Sequence, residues 1–500
     1  MAYEKKMRKH FRMKHGLLSA ALRTFGAIIC SLLFSESFGG IYYAAANGSD
    51  SNPGTINQPF LTLNYGVSFL SAGDTLYVMS GTYDESLVHT IPAGTSWTAP
   101  VTVAAYPGDI VTLKPNAGAG DVLRFVGPQQ YIVIDGLILD GVNTIHEVVK
   151  ITWSGGGDAH HIRIQNCEIK NSPGQGILTS RDANYNEFIN LKVHDNGASD
   201  FDHGLYIASS NNLVEGCEIY QNGGWGVHVY DENYWNANNN IIRANKIYNN
   251  ARIGNRGRGI ILSSGTDNIA CNNLIWGNNG GIQINYNVAN SQVYNNTIWA
   301  NNGGDGLYAE GIYIGSGSSG AIIKNNICWQ NNSGGISDYG AATTLSNNLT
   351  SDPQFVNAAG ADFHLQPGSP AIDAGLNLSP DVVDDFSGTL RPQGLDYDIG
   401  AYEYTANPNS SSELPKTENE WFVYPAVGSG IFEIQIPIAI GTMFNIQAVE
   451  IYNMLGEKVY GRTINARHKT VNLSEAESGI YFVKILYGGK EKTQKIIIIK

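Results

Sequence analysis

Between residues 197 and 313 the sequence gathers acid, base and cation chemistry at recurring places. His203, Tyr206, Trp225, His228 and Tyr230 fall on or beside two short runs, GLYIA at 204 and GVHVY at 226. Arg258, Gln283, Glu310 and Tyr313 take comparable places around GIILS at 259, GIQIN at 281 and GIYIG at 311. Asp200, Asp202, Asp231 and Arg256 sit in the connecting stretches. Three chemistries fit these side-chain types. In β-elimination a base (His228, Tyr206 or His203) takes the proton beside a carboxylate. A planar guanidinium, Arg256 or Arg258, then pairs that carboxylate bidentately and stabilises the developing charge. Tyr230, Trp225, Tyr313, Glu310 and Gln283 would line the surface that holds the substrate. Asp200, Asp202 and Asp231 could hold Ca²⁺, a hard ion that wants oxygen ligands and could bridge an acidic protein to an acidic polymer. A glycoside hydrolase would use two carboxyl groups instead, Asp202 with Glu310 or Asp231. Any one of these residues alone is equally a solvated turn residue on an acidic surface, so the cluster carries the reading rather than its members.

The elements that must position them show as an internal repeat. From 161 to 340 the pattern Asn-x-Ile-x-x-Asn recurs, as in CEIYQN at 217, NKIYNN at 245, NLIWGN at 273 and NTIWAN at 296, followed each time by a variable stretch and Gly-Ile-x-Ile. Equivalent positions Ser172, Asn196, Asn222, Asn250, Asn278, Asn301 and Asn331 are 23 to 30 residues apart, the length of one solenoid coil with loop insertions. This predicts two matching strands per turn and a ladder of stacked asparagines at one corner. Val227, Val229, Ile282 and Ile284 would point inward, with the residues between them facing solvent. The insertions GASDFDH, ARIGNRGR and GGDGLYAE precede Gly204, Gly259 and Gly311, and DENYWN follows Tyr230, so they frame one groove. A column of aromatics at another repeat position, Tyr220, Tyr248, Trp276, Trp299 and Trp329 with Lys170 and His194 below, reads either as a sugar-stacking track or as a row of rings packing on each other.

Composition agrees with an all-β chain. Of 500 residues, 58 are Gly and 27 Tyr against 6 Met, and 42% are hydrophobic. No long helical period of the sort a Rossmann or barrel enzyme needs appears in the repeat region. Residues 1–40 have a basic start and an apolar stretch from Thr24 to Phe34, interrupted upstream by Arg23, which reads as a signal peptide region and not a membrane span. Removing that +5 segment from a chain of −13 leaves −18, which disfavours nucleic acid as a partner. Cys167 and Cys217 recur two turns apart, near ~10 Å at a ~4.8 Å strand spacing, too far to bond. They and Cys271 and Cys328 are expected to be buried fillers.

The domain plan follows: signal region 1–40, a right-handed parallel β-helix with an N-terminal cap at 41–349, a closing segment at 350–405, a linker at 406–420 and a last module at 421–500. In the first of these bodies Thr62 to Leu70 and Thr75 to Met79 are expected to cover the exposed first coil. From Trp421 on, YPAVGSGIFEI, VEIYNMLGEKVY, VNLSEAESGIYFVKI and KIIIIK resemble the C-terminal sorting domain of the type IX secretion system. Tyr424, Pro425, Ala426 and Val427 depart from the usual YPNP start. That resemblance implies a small β-sandwich, engagement of the type IX machinery, and attachment of the body to surface lipopolysaccharide or release outside the cell. The repeat region resembles the right-handed parallel β-helix group of pectate-lyase-like polysaccharide lyases, uronan epimerases and glycoside hydrolases. The resemblance implies an extracellular polysaccharide as partner. No Lys of the framed groove matches the lysine base of the calcium-dependent lyases. The expectation is a monomer that cleaves a uronate polymer, with a glycoside hydrolase or a non-catalytic, glycan-binding adhesin as the rival readings.

Overall fold

The computed structural model describes residues 39–233, 237–254, 257–303 and 309–405, and from 422 onward the eight strands of the C-terminal module with a few residues joining them. The targeting segment, the linker, Arg256, Trp235 and most of GGDGLYAE lie outside the described residues. Among the described residues no helix is long and apolar enough to cross a membrane.

Each solenoid strand is short, so the side-chain period of two decides what it contributes. A three-residue strand offers the interior either its middle residue or its two ends. Leu213–Glu215 and Glu218–Tyr220 bury only Val214 and Ile219, whereas Leu205–Ile207 buries both Leu205 and Ile207. Stacked in parallel register, these three kinds of strand form sheet 1 with twelve strands, sheet 2 with ten and sheet 3 with ten, to which the antiparallel Gly157–Asp158 adds an eleventh. A turn therefore has three strands, not the two expected. The one overlooked belongs to sheet 1, whose strands, such as Ile241–Arg243 and Ile269–Cys271, lie between the variable stretch and the Asn-x-Ile-x-x-Asn run and carry no recurring residue type of their own.

The asparagines explain the corners. At all three bends of one turn a residue sits in the left-handed region, Asn239 at φ 54°, Ala244 at 53° and Asn249 at 52°, and the next residue is a buried Asn. Asn240, Asn245 and Asn250 each pass a side-chain amide proton to the carbonyl oxygen of the Asn one rung on, Asn268, Asn273 and Asn278, at 3.0, 2.9 and 3.1 Å. The predicted ladder through Asn196, Asn222, Asn250, Asn278, Asn301 and Asn331 exists and is one of three. Ahead of the sheet 3 strands from Gly176 on, the backbones come too close for a side chain. A Cβ on Gly204 would lie 2.7 Å from the Gly226 carbonyl oxygen, and one on Gly281 2.2 Å from that of Gly311.

At the N-terminal end the helix Leu63–Val67 sets Leu63 and Val67 into the core and serves as the cap. Thr75–Val78 does not cap. It is the second strand of sheet 1, paired in parallel with Ile41–Ala44 and Val101–Ala105, because the coil already begins at residue 41. The closing segment runs back along the bend between sheets 1 and 2, where Asn295 donates to Asp398 O at 2.9 Å and Asn325 to Leu376 O at 2.8 Å. Its own centre is a buried pair, Arg391 to Glu403 at 2.6 Å, with the guanidinium also bonded to Gly400 O and Asn272. The C-terminal module has one three-stranded and one five-stranded sheet over a shared core that includes Phe432, Val449, Val483 and Ile496. All four cysteines after the targeting segment are free and buried, and burial pushes the thiols of Cys167, Cys217 and Cys271 up to about 12.

Candidate functional site

The three rows of groove residues follow from strand register on sheet 3. Tyr206, His228, Ile261, Gln283 and Tyr313 lie on successive rungs as the outward row. His203, Trp225, Arg258 and Glu310 form the row ahead of it, tied by Gly204 N to Trp225 O, Gly226 N to Arg258 O and Gly281 N to Glu310 O, each 3.0 Å. Tyr230 and Ser263 continue the row behind, one residue past the in-register pair Val229 and Leu262. The outward row is less open than the alternation predicts. His228 is 9% exposed, Gln283 5% and Ile261 2%, because neighbouring rings and loops cover them.

Five of the expected residues meet in one cluster of rings. His203 touches Tyr206, Trp225 and His228 at centroid separations of 5.8, 4.5 and 4.8 Å. His228 in turn lies 5.1 Å from Tyr206, 5.0 Å from Trp225 and 5.2 Å from Tyr230, stacked on the last. Burial pushes His228 down to about 3 and, with the neighbouring His228, holds His203 well below the usual histidine range. Burial, then the charges of Tyr230, Glu232 and Asp231, raises Tyr206 and keeps its phenol protonated.

Hydrogen bonds assign the tautomers. Ser263 Oγ donates to Val229 O at 3.0 Å, so it accepts from His228 Nε2 at 3.0 Å, and the lone pair of a neutral His228 is on Nδ1. That Nδ1 is buried with no hydrogen-bond partner among the described residues, as are Trp225 Nε1 and Glu310 Oε2. His203 Nδ1 accepts from Trp225 N at 3.2 Å. Gln175, a residue the sequence did not single out, accepts from His203 N at 2.5 Å and donates to Phe201 O at 3.1 Å, which pins the loop under His203. Its signal was positional: it stands where His203 stands, one rung earlier.

The carboxylates do not converge. Asp202 closes its own loop, accepting from Ser199 N at 2.8 Å and Ser199 Oγ at 2.7 Å. Asp200 packs against Gly254, also ahead of the strands, whereas Asp231 follows Tyr230 at their far end, where its N donates to Ser264. The expected Ca²⁺ trio is thus spread across the width of sheet 3, and among the described residues no three His, Cys, Asp or Glu side chains gather as a metal site. The residues do not fit that ion. Nor do they fit a hydrolase pair: the rung after Asp202 is four rungs from that of Glu310, about 19 Å at a strand spacing of ~4.8 Å, well beyond the ~5–9.5 Å that two glycosidase carboxyls require. Arg256 lies outside the described residues, and Tyr313 is placed four rungs from Tyr206, near Tyr339 at 5.7 Å rather than in the ring cluster.

Comparison with known proteins agrees with this architecture. The Pel9A-like right-handed β-helix region family matches residues 42–202, the broader right-handed β-helix region family 198–350, and the secretion system C-terminal sorting domain family 422–500. The chain is 30% identical over 183 residues to the uncharacterized protein YwoF of Bacillus subtilis, covering 35% of this chain and 37% of that one. It is 25% identical over 244 residues to pectate lyase PEL9 of Emericella nidulans, covering 48% and 53%. The matches therefore span about half or less of these relatives. The crystal structure of pectate lyase Pel9A superimposes with a TM-score of 0.56 at 17% identity, over 74% of this chain and 98% of that one, which establishes the shared fold. The solenoid is a right-handed β-helix, similar over residues 42–202 to the Pel9A-like region, and residues 422–500 are a secretion system sorting domain, which indicates secretion or display at the cell surface.

Proposed function

We propose that the groove over sheet 3 binds a uronate-containing polysaccharide and cleaves it by β-elimination. The observation that carries this reading is the buried lone pair of His228 Nδ1, deprotonated and without a hydrogen-bond partner among the described residues, inside a wall of rings one rung from Arg258. The Arg258 guanidinium pairs the substrate carboxylate and spreads the charge that grows on it. His228 Nδ1 takes the proton from the carbon beside that carboxylate. The C–H electron pair becomes the new C=C bond, and the glycosidic C–O bond breaks. The departing oxygen takes a proton from Tyr206, whose phenol stays protonated, and the imidazolium 5.1 Å away returns one to Tyr206. Trp225, Tyr230 and Gln283 hold the sugar ring. Similarity to a pectate lyase favours galacturonan among uronate polymers, and the sorting domain favours attachment of the body to surface lipopolysaccharide.

The test mixes the chain with polygalacturonate, alginate and a glycosaminoglycan, with Ca²⁺ and with chelator, and follows the ultraviolet absorbance of unsaturated uronate. Product from one polymer, surviving chelation and lost in His228→Ala, is the expected result. Silence on every polymer with the fold intact would overturn the lyase reading in favour of a glycan-binding adhesin.

A further inference from the structure

The aromatic column of sheet 2 has two parts with different surroundings. His194, Tyr220, Tyr248 and Trp276 stack on one another at 4.7, 5.1 and 4.5 Å, and Trp276 is then covered by Phe363 of the closing segment at 5.4 Å. These rings are occupied with each other. Higher up, where the closing segment meets the last turns, a cleft of about 350 Å³ stays open. Its floor is Trp299 and Trp329, paired in register on adjacent rungs, beside Phe355 and Ala358; Phe363 reaches Trp299 as well, at 5.8 Å, and both indoles are half-buried. Its rim is polar: Gln330, Asp352, Gln354 and Gln366, all exposed. Trp299 Nε1 donates to Gln330 Oε1 at 3.1 Å, which turns that amide's NH₂ outward.

We propose that this cleft is an accessory, non-catalytic binding site for a neutral glycosyl unit. An indole face gives the apolar C–H side of a pyranose a flat surface to lie on, and amide and carboxylate groups at its edge match ring hydroxyls as both donors and acceptors. The volume falls at the small end of ligand sites, ~300–1,000 Å³, as suits one or two sugar rings. Charge sets the class. Among the described residues no Lys, Arg or His lines the cleft, and Asp352 would repel a uronate, so the site selects neutral sugars where the sheet 3 groove, with Arg258, takes acidic ones. Lying on a different sheet, the cleft would hold neutral branches or a neighbouring wall polymer while the groove handles the uronate chain. The site does not depend on the groove being catalytic.

The test is calorimetric titration of the whole chain with short oligosaccharides of galactose, arabinose, xylose and glucose, with trigalacturonate as the acidic probe. Saturable binding of a neutral oligosaccharide is expected, weakened roughly tenfold in Trp329→Ala and several-fold in Asp352→Ala, and unchanged in His228→Ala. Trp329→Phe keeps an apolar ring against the closing segment, so it decides the matter if the alanine variant does not fold, and an intermediate loss is expected there. The proposal is overturned if no neutral oligosaccharide saturates, if binding is the same in both Trp329 variants as in the parent chain, or if only trigalacturonate binds.

Discussion

The corners of the solenoid and the floor of its groove are built from equally buried polar groups, yet they treat them in opposite ways. At a corner, Asn278 accepts from Asn250 N at 3.0 Å and Asn250 Nδ2 at 3.1 Å, and donates to Ile247 O, Trp276 O and Asn301 Oδ1. On the floor, His228 Nδ1, Trp225 Nε1 and Glu310 Oε2 are equally removed from water and have no hydrogen-bond partner among the described residues. Leaving such an atom unsatisfied costs about 1–3 kcal/mol, a loss the fold also carries singly at Asn279 Nδ2, Ser291 Oγ and Ser346 Oγ. What sets the groove apart is that three such atoms stand along the same rows of sheet 3, where a ligand entering it would complete their bonding.

Substitutions on the two sides should separate cleanly. The largest effect is expected from His228→Ala on product formation, a fall of about 10²–10⁴-fold per folded molecule, with a lower melting temperature from emptying a buried ring site. Activity within tenfold of the parent would break the contrast. Next comes acid stability. Unfolded histidine takes a proton below about 6.5, whereas folded His228 stays neutral down to about 3, so its contribution is complete above the higher value and is lost as pH falls through the lower. The unfolding free energy from denaturant titration should drop at about 1.4 kcal/mol per pH unit in that window, and His228→Gln, which keeps a donor for Ser263, should flatten the slope. A slope that His228→Gln leaves unchanged would move the titration to other groups.

Asn278→Ala strands the amide groups of Asn250 and should lower unfolding free energy by about 2–4 kcal/mol, with turnover per folded molecule unaffected. A matching loss of activity would mean that corner and groove are coupled. Arg258→Lys keeps the charge but loses the planar fork, and kcat/KM on a uronate polymer should fall about tenfold, with KM taking most of it. Smallest of all, Tyr220→Leu removes one ring from the stack between His194 and Tyr248, worth about 1 kcal/mol or less by thermal melting, with no change in either sugar site.

The corner carrying Asn196 to Asn331 was legible in sequence because long apolar-flanked runs such as NTIWAN and NKIYNN keep it in phase, and so was the row of sheet 3. Asn245, Asn273 and Asn296 open the runs NKIYNN, NLIWGN and NTIWAN and so recur in plain view, whereas the ladder through Asn240 and Asn268 stands after the variable stretch, where differing loop lengths break the phase. Sequence also placed the ring cluster correctly on two neighbouring rungs. What it could not give was the direction of each side chain. Asp202, Asp231 and Glu310 are close in repeat position or in chain number, but loop closure turns Asp202 toward Ser199, strand width separates it from Asp231, and rung count separates it from Glu310.

The glycines that open the sheet 3 strands from Gly176 to Gly311 fix the point at which each of those turns re-enters the stack. A Cβ there would collide with the rung above, so the chain must return to the same place however long the preceding loop is: at Gly204 after GASDFDH, or at Gly226 after the two residues Gly224 and Trp225 that follow the Asn222 corner and Gly223. Loops ahead of those positions can lengthen, shorten or be exchanged without shifting the register of any other turn. The groove is thus interchangeable one rung at a time, and a lineage could retarget it to a different polymer by swapping a single loop while the rest of the molecule stays as it is.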